Sequence, residues 1–331
     1  MAAARKKTEA TKWWSSMWFK LGLSVVLLSL LLWKTDGSDL LEAFTSAQPG
    51  WVLLALVGYI TSQVISSCRW TMLARPLGFD EPYSHYFYAY FTGMYMNLFA
   101  PSTVAGDVGR ALYLAGGRRR ALAFTTVIAD RGLGFVVLSW VGALAILLQP
   151  QYRLPLPLYY AAWTVPPGTL FGWLYVPRLA VRLFKRDNHW RHLVEKDLAP
   201  YWNDFGLLLK TSLVAAVFHS LQIGTQVWLA RGLGISVPWA FFFIFVPVVN
   251  IAGMLPLSFS GIGIREYGYM YFLAMVGIQR HTAVALGLLS SGIVLVTGLA
   301  GGLVFLLFKA PPATPAAGDV VEPPRQRRAA R

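Results

Sequence analysis

Charged residues are scarce in this chain, and acidic ones are scarcer than basic ones. Only 13% of the 331 residues are charged, whereas 56% are hydrophobic, and the mean hydropathy is +0.51. A soluble domain of this size needs about twice that share of charge to cover its surface. The apolar residues form long blocks, and a bilayer span needs roughly 20 of them. The composition therefore predicts a membrane protein with several spans.

Cysteine is almost absent as well, and a single Cys68 excludes an intrachain disulfide. No Cys/His cluster has the spacing of metal ligands, so we expect neither a metal site nor a cofactor. The net charge of +14 comes without any nucleic-acid-binding module, so we expect no nucleic-acid partner. The sequence also shows no nucleophile–base arrangement and no nucleotide motif, which argues against an enzyme.

The hydropathy pattern predicts an all-α polytopic membrane protein with about six full spans and two interrupted hairpins. The transmembrane domain covers 17–308, between a basic N-terminus at 1–16 and a tail at 309–331 that we expect to be disordered. The segment 178–206 carries tryptophans beside its charges, which predicts an interfacial amphipathic helix. The full spans are expected near 17–33, 51–67, 121–148, 158–177, 207–230 and 283–308.

Basic residues are unevenly shared between the two sides of this topology. With the N-terminus inside, 21 Lys and Arg residues fall in inside segments, among them Arg69 and Arg75. Only four fall on the opposite side: Lys34, Arg153, Arg231 and Arg280. Because cytoplasmic loops are enriched in Lys and Arg, we expect both termini in the cytoplasm and a location in a bacterial inner (plasma) membrane.

An internal repeat relates two parts of the transmembrane domain. The segments Pro101–Arg110 and Pro256–Arg265 share the pattern P-x4-G-x3-R at an offset of 155 residues. Leu73–Gly78 and Leu229–Gly234 match at an offset of 156, which supports the same alignment. The repeat units cover about 51–148 and 207–308, and the connector 149–206 lies between them.

Each repeat unit is predicted to consist of a helix, an interrupted hairpin and a second helix. Because a polar stretch broken by Pro and Gly cannot face lipid, and the arms are mostly too short to span, we interpret both hairpins as re-entrant. The first enters from the cytoplasm and the second from outside, as in transporters with inverted repeats and a site at the repeat interface. A bundle of proline-kinked spans is the alternative. The arms lie at 86–100, 107–116, 239–255 and 262–276.

Ionisable residues at the predicted membrane depth are the first candidates for the substrate site. Arg110 and Arg265 occupy equivalent hairpin positions, and two guanidiniums could clamp one phosphate because their planar forks bind its oxygens bidentately. Asp107 and Glu266 lie beside them and could balance the bound charge. Alternatively, each acid ties its own hairpin down through a local ion pair.

A second group of candidates lies on the full spans. Asp130 and Arg131 lie about ten residues into a span, roughly 15 Å deep; Asp130 could pair with Arg110 or Arg265, and Arg131 could join the anion site. A purely structural network is the alternative. His219 could carry a coupling proton, and Gln222 and Gln226 share its helix face. Hairpin residues that complete the predicted site are Asn97, Ser102, Gly106, Ser258 and Gly261.

In order and spacing, these motifs resemble the flippase-like family named after the transmembrane region of lysylphosphatidylglycerol synthase. The resemblance covers about residues 17–308 and departs at Ala105, where the family often has a second glycine. It rests on Arg69-Trp70, Asn97–Ser102 with Gly106–Arg110, Asp130-Arg131, and Leu255–Ser258 with Gly261–Glu266.

The resemblance implies a membrane domain that moves or presents lipids between leaflets. Two-domain members add a soluble aminoacyl-transferase domain, which we do not expect in this chain. Relatives are linked to aminoacylated phospholipids, polyprenyl-linked sugars and hopanoids, and the sequence does not choose among them. We therefore expect a flippase for a phosphate-containing lipid, with a homo-oligomer or a lipid-biosynthetic enzyme as compatible partners. A membrane enzyme or accessory subunit for headgroup modification, and a small-anion transporter, stay open.

Overall fold

The computed structural model describes residues 35–99, 104–116, 119–185, 188–254 and 263–307, and scattered positions between 22 and 33. Over these residues the chain is helical and contains no strand, which confirms the all-α prediction. The first half contains α1 (Gly37–Thr45), α2 (Pro49–Ala74), α3 (Tyr83–Phe99), α4 (Val104–Ala115) and α5 (Arg120–Leu148). The second half contains α6 (Leu156–Leu183), α7 (Phe205–Gly232), α8 (Trp239–Met254), α9 (Ile264–Ala274) and α10 (Arg280–Leu307).

Four helices among the described residues are long and apolar enough to cross a bilayer. They are Pro49–Leu77, Arg120–Leu148, Phe205–Gly232 and Arg280–Leu307. Helix α6, predicted as a span at 158–177, has 28 residues but is less apolar and is not among the four. The predicted first span at 17–33 lies largely outside the described residues. The tail at 309–331 lies wholly outside them. The chain is thus a multi-pass membrane protein.

Two predicted boundaries differ from the structure. The span expected to end at residue 67 continues as α2 to Ala74, so Arg69 is a buried helical residue and not part of a loop. Without Arg69 the inside segments still hold 20 basic residues against four. The segment 178–206 is not one continuous helix, because α6 runs to Leu183 and short helical segments follow at His189–His192, Leu193–Asp197 and Ala199–Asn203.

The long helices turn polar residues inward and apolar residues outward. On α2, Ser62, Ser66 and Arg69 are buried, whereas Leu53 and Val57 are exposed. A soluble protein would have the reverse pattern, since water would then cover the outer face. Lipid cannot satisfy polar groups, so a membrane helix directs them toward neighbouring helices.

Helix contacts follow the same scheme in both repeat units. The two leading helices, α2 and α7, pack on each other at the centre. The first hairpin arm of each unit then packs on the last helix of the other unit: α3 lies against α10, and α8 lies against α5. Each hairpin also closes on itself, through α3 with α4 and through α8 with α9. The two units are therefore interlocked around a common centre.

The first hairpin depends on two glycines that face each other. A Cβ on Gly106 would collide with the carbonyl oxygen of Gly93, and one on Gly93 would lie 2.9 Å from the carbonyl oxygen of Gly106. The approach lets the Gly106 N–H donate to Asn97 Oδ1 at 2.7 Å. A side chain at either glycine would force α3 and α4 apart.

We predict that Gly106→Ala destabilises the protein, because overpacking costs about 1–3 kcal/mol. The matched control is Gly224→Ala, since an added Cβ at that helical position meets no atom within 4 Å. Thermal unfolding in detergent should show a lower midpoint for Gly106→Ala and an unchanged or slightly higher one for Gly224→Ala. Equal midpoints for the two variants would contradict the close approach of α3 and α4.

Candidate functional site

A cavity of about 280 Å³ lies at the centre, where the two repeat units meet. Its walls come from both units, including α2, α4 and α5 from the first and α7, α8 and α9 from the second. The ionisable residues that line it are Arg69, Asp107, Arg110, Asp130, Arg131, His219 and Arg265. The neutral polar residues that line it are Tyr59, Gln63, Ser66, Tyr90, Asn97, Gln222, Gln226, Asn250 and Ser290. The cavity thus brings together most of the residues predicted for the site.

Asp130 is the centre of a buried ion-pair network. Its Oδ1 atom accepts a hydrogen bond from Arg69 Nε at 2.9 Å, and its Oδ2 atom accepts one from Arg110 Nη1 at 2.9 Å. All three side chains are at most 5% exposed. The prediction that Asp130 pairs with Arg110 agrees with the structure, whereas the second cation is Arg69 and not Arg265. Buried charges need such partners, because desolvation would otherwise exclude them.

Arg110 is fully engaged in this network. Besides Asp130, it contacts Asp107 through Nε at 3.2 Å. The guanidinium carbon also lies 4.9 Å from the Trp70 ring centroid and 5.2 Å from that of Tyr90, which is cation–π geometry. The local acid predicted as the alternative partner therefore does hold Arg110 in place.

Arg131 extends the network toward the open part of the cavity. Its Nε and Nη2 atoms donate to Asp107, at 2.9 Å to Oδ2 and 3.0 Å to Oδ1. The side chain is 37% exposed, unlike the buried Arg69 and Arg110. Arg131 is thus the arginine of this network that a ligand in the cavity can reach.

Arg265 differs from its repeat counterpart Arg110. No ion pair or hydrogen bond joins its guanidinium to any described residue, and its Nε is shielded from water without a partner. The neighbouring Glu266 does not pair with it. Instead, Glu266 accepts hydrogen bonds from the Gly263 N–H at 2.6 Å and from Ser291 Oγ at 2.6 Å. The local acid expected at the second hairpin therefore stabilises the start of α9 and leaves Arg265 without a counterion in the described part of the chain.

The conformation of Gly263 explains why the Glu266 side chain does not pair with Arg265. It precedes α9 with a φ of 88°, a conformation that glycine adopts easily and other residues avoid. Its N–H would be unsatisfied at the helix start, and a glutamate three residues into the helix can accept it. The Glu266 carboxylate is occupied by this capping interaction, and the residue is fully buried.

The cavity lining carries a net positive charge. Four arginines face two aspartates, which gives a formal charge of +2. Both aspartates already pair with arginine, and Glu266 is not part of the lining. A low-dielectric cavity with excess positive charge favours an anionic ligand.

The remaining predicted residues divide into three groups. Asn97 and Gly106 form the hairpin contact and line the cavity. His219 lies on the wall with its Nε2 atom 2.9 Å from the Gly134 carbonyl oxygen. Ser102, Ser258 and Gly261 lie outside the described residues.

Arg69, Asn250 and Tyr59 are among the lining residues that sequence reasoning left out of the predicted site. Arg69 was assigned to a loop because a charge usually ends an apolar span, although the adjacent Trp70 was part of the motif. Asn250 precedes Pro256 as Asn97 precedes Pro101, although the two asparagines do not align at the repeat offset, so this parallel could have added it to the site. Tyr59 carried no signal in the sequence, yet it lines the same cavity as Arg131 and Arg265.

We predict that Asp130→Ala destabilises the fold strongly, because it strands two buried guanidiniums, and breaking a buried pair costs about 3–5 kcal/mol. The control is Asp39→Ala, whose carboxylate is 52% exposed and 3.6 Å from His281; exposed pairs contribute about 1 kcal/mol or less. Denaturation in detergent should separate the two variants clearly. If Asp130→Ala were as stable as Asp39→Ala, the network would not hold the helices together.

Comparisons with known proteins agree with the membrane architecture. The chain is 25% identical over 294 residues to a "UPF0104 membrane protein" of Methanothermobacter thermautotrophicus, covering 80% of this chain and 86% of the relative. A "UPF0104 membrane protein" of Methanocaldococcus jannaschii is 30% identical over 97 residues, covering 28% of this chain and 29% of the relative. No solved structure matches the chain. The family model described as "Lysylphosphatidylglycerol synthase TM region" matches residues 17–302, and the chain therefore belongs to this family of membrane proteins.

Proposed function

We propose that the protein moves a phosphate-containing lipid between membrane leaflets and binds the phosphate in the central cavity. The observation that carries the proposal is Arg265, a cation on the cavity wall without a counterion among the described residues. An unpaired cation at membrane depth is costly. A phosphate would offset that cost when it binds, and arginine suits it because the planar guanidinium donates two parallel hydrogen bonds.

Arg131 is the second phosphate ligand in this proposal. Its side chain is partly exposed, and it lines the same cavity as Arg265 and Tyr59. Asp107 pairs with Arg131 and would compete with the phosphate for it. That competition keeps the affinity moderate, which a transporter needs because it must also release its substrate. Arg110 has a structural role, since its donors are occupied by Asp107 and Asp130.

The interlocked packing supports an inverted repeat with re-entrant hairpins. The contact of α8 with α5 includes Gly142 against Pro247, and that of α10 with α3 includes Gly301 against Phe91. Phe91 and Pro247 are 156 residues apart and Gly142 and Gly301 are 159 apart, close to the offsets of 155 and 156 in the sequence repeat. Transporters of this design place the substrate between the repeats near the bilayer midplane. The proposal includes cytoplasmic termini in a bacterial inner membrane, as the basic residues indicate.

A lipid is favoured over a soluble anion because the polar central cavity and a second, apolar cavity both border α3. Residues on one side of α3, such as Asn97, line the central cavity. A smaller apolar cavity of about 190 Å³ is lined by other residues of α3 and by one of α10: Thr92, Tyr95, Met96, Phe99 and Phe305. A headgroup could occupy the first while part of an acyl chain occupies the second. We favour transport over catalysis because both aspartates in the cavity are neutralised by arginine and not free to act as a base.

The proposal predicts that Arg265→Ala slows lipid translocation without unfolding the protein. A hydrogen bond to a charged group contributes about 1.5–3 kcal/mol, so we expect a loss of roughly ten- to a hundredfold. The matched control is Arg231→Ala, which removes an exposed arginine that packs on Trp51, away from the cavity. The assay follows labelled anionic phospholipid in proteoliposomes. Equal rates for wild type and Arg265→Ala would refute the phosphate site, and no transport by wild type would refute the function.

A further inference from the structure

Several polar groups on the cavity wall would stay unsatisfied even with phosphate bound. His219 Nε2 lies 2.9 Å from the Gly134 carbonyl oxygen, and because a carbonyl only accepts, Nε2 carries the proton. In the neutral ring, Nδ1 is then an acceptor. This atom is shielded from water and has no hydrogen-bond partner among the described residues.

Gln226 provides a second unsatisfied acceptor on the same helix. Its Nε2 donates to Ser290 Oγ at 3.0 Å, whereas its Oε1 is buried without a described partner. Gln226 lies seven residues after His219, which is two helical turns and about 10 Å along the axis of α7. Gln222 lies between them on the same face and makes no hydrogen bond with described side chains. We call His219, Gln222 and Gln226 the α7 polar row.

A phosphodiester cannot satisfy this row. Its oxygens only accept, so they suit the arginines but offer nothing to His219 Nδ1 or Gln226 Oε1. An unsatisfied buried acceptor costs about 1–3 kcal/mol. Hydrogen-bond donors on the occupant, next to the phosphate, would satisfy both acceptors.

A lipid headgroup can offer two kinds of hydrogen-bond donor, an ammonium or a hydroxyl. The charge of the cavity distinguishes between them. An ammonium would enter a cavity with four arginines and two aspartates, and both carboxylates are already paired. A hydroxyl group is neutral, so the unpaired positive charge of the cavity does not repel it. They also both donate and accept, as do the amides of Gln222 and Asn250.

Resting on the proposed function, we propose that the transported headgroup is a small anionic polyol phosphate, a phosphodiester with free hydroxyls and no ammonium. Arg265 binds the phosphate, and the α7 polar row binds the hydroxyls. The cavity volume of about 280 Å³ lies just below the roughly 300–1,000 Å³ of pockets for drug-sized ligands. This volume fits a glycerol or a single sugar-like ring better than an oligosaccharide.

The test uses five phospholipids with identical acyl chains. Phosphatidylglycerol and phosphatidylinositol carry hydroxyls, phosphatidylethanolamine carries an ammonium, phosphatidylcholine has no donor, and phosphatidic acid lacks a head alcohol. Binding to the purified protein is measured by native mass spectrometry of lipid mixtures, and translocation is measured in proteoliposomes. We expect both hydroxyl-bearing lipids to bind and move at least about tenfold better than the other three, the factor that corresponds to one buried hydrogen bond.

The outcomes separate the two proposals. Equal translocation of all five lipids, or preference for phosphatidylethanolamine or phosphatidic acid, overturns the polyol assignment while the transport function stands. Selective binding of the two hydroxyl-bearing lipids without translocation refutes the transport function and supports the assignment. Neither binding nor translocation of any lipid refutes both. Glycerol 3-phosphate at equal concentration should not compete; if it competes and is transported, the site belongs to a soluble anion.

Variants of the α7 polar row test the assignment of residues. Gln226→Leu and Gln222→Leu should lower the ratio of phosphatidylglycerol transport to phosphatidic acid transport toward one. Gln226→Leu also removes the hydrogen bond to Ser290, which could affect folding. Gln222→Leu leaves no described side chain without a partner, so it tests the row independently. The control is Thr225→Val on the same helix, whose buried hydroxyl bonds only to the Leu221 carbonyl and does not line the cavity. An unchanged ratio of the two rates in both glutamine variants overturns the role of the row.

Discussion

One carboxylate holds the centre of this protein together. Asp130 lies inside a helix at membrane depth, where a lone charge would be expelled, and it is retained because Arg69 and Arg110 share it. Arg69 is on α2, Asp130 on α5 and Arg110 on α4, so one buried ion-pair cluster fixes the first hairpin against two spanning helices. Asp107 and Arg131 continue the cluster to the cavity surface. The rest of the first repeat is arranged so that these five side chains can meet.

The second repeat uses the same positions for a different purpose. Its glutamate caps α9 through Gly263 and Ser291, so its arginine has no counterion among the described residues. A duplicated fold thus carries a closed, structural charge cluster on one side and an open cation on the other. This asymmetry is what a binding site needs, because fully paired arginines cannot accept a substrate and fully unpaired ones would destabilise the fold. In our proposal, the α7 polar row, which lines the same cavity, determines which headgroups leave no acceptor unsatisfied.

Much of the architecture could be predicted from the sequence, and the exceptions have physical causes. Long apolar blocks and the repeated P-x4-G-x3-R pattern located the helices, the hairpin arms and the equivalence of Arg110 and Arg265. The boundary at residue 67 was wrong because Arg69 resembled a loop residue, and its partner lies 61 residues away on another helix. Glu266 was expected beside Arg265 because the two are adjacent in sequence. The positive φ of Gly263, which directs that carboxylate to the backbone, cannot be deduced from adjacency.

The central claim is that Arg265 binds the phosphate of a membrane lipid while Arg110 remains bound to Asp130. The most direct test is a structure of the protein in nanodiscs that contain phosphatidylglycerol, determined at a resolution that shows headgroups. The account predicts phosphate density within hydrogen-bonding distance of the Arg265 guanidinium, with the Arg69–Asp130–Arg110 contacts intact. A cavity without lipid in which Arg265 pairs with Glu266, or a phosphate bound to Arg110 in place of Asp130, would contradict it.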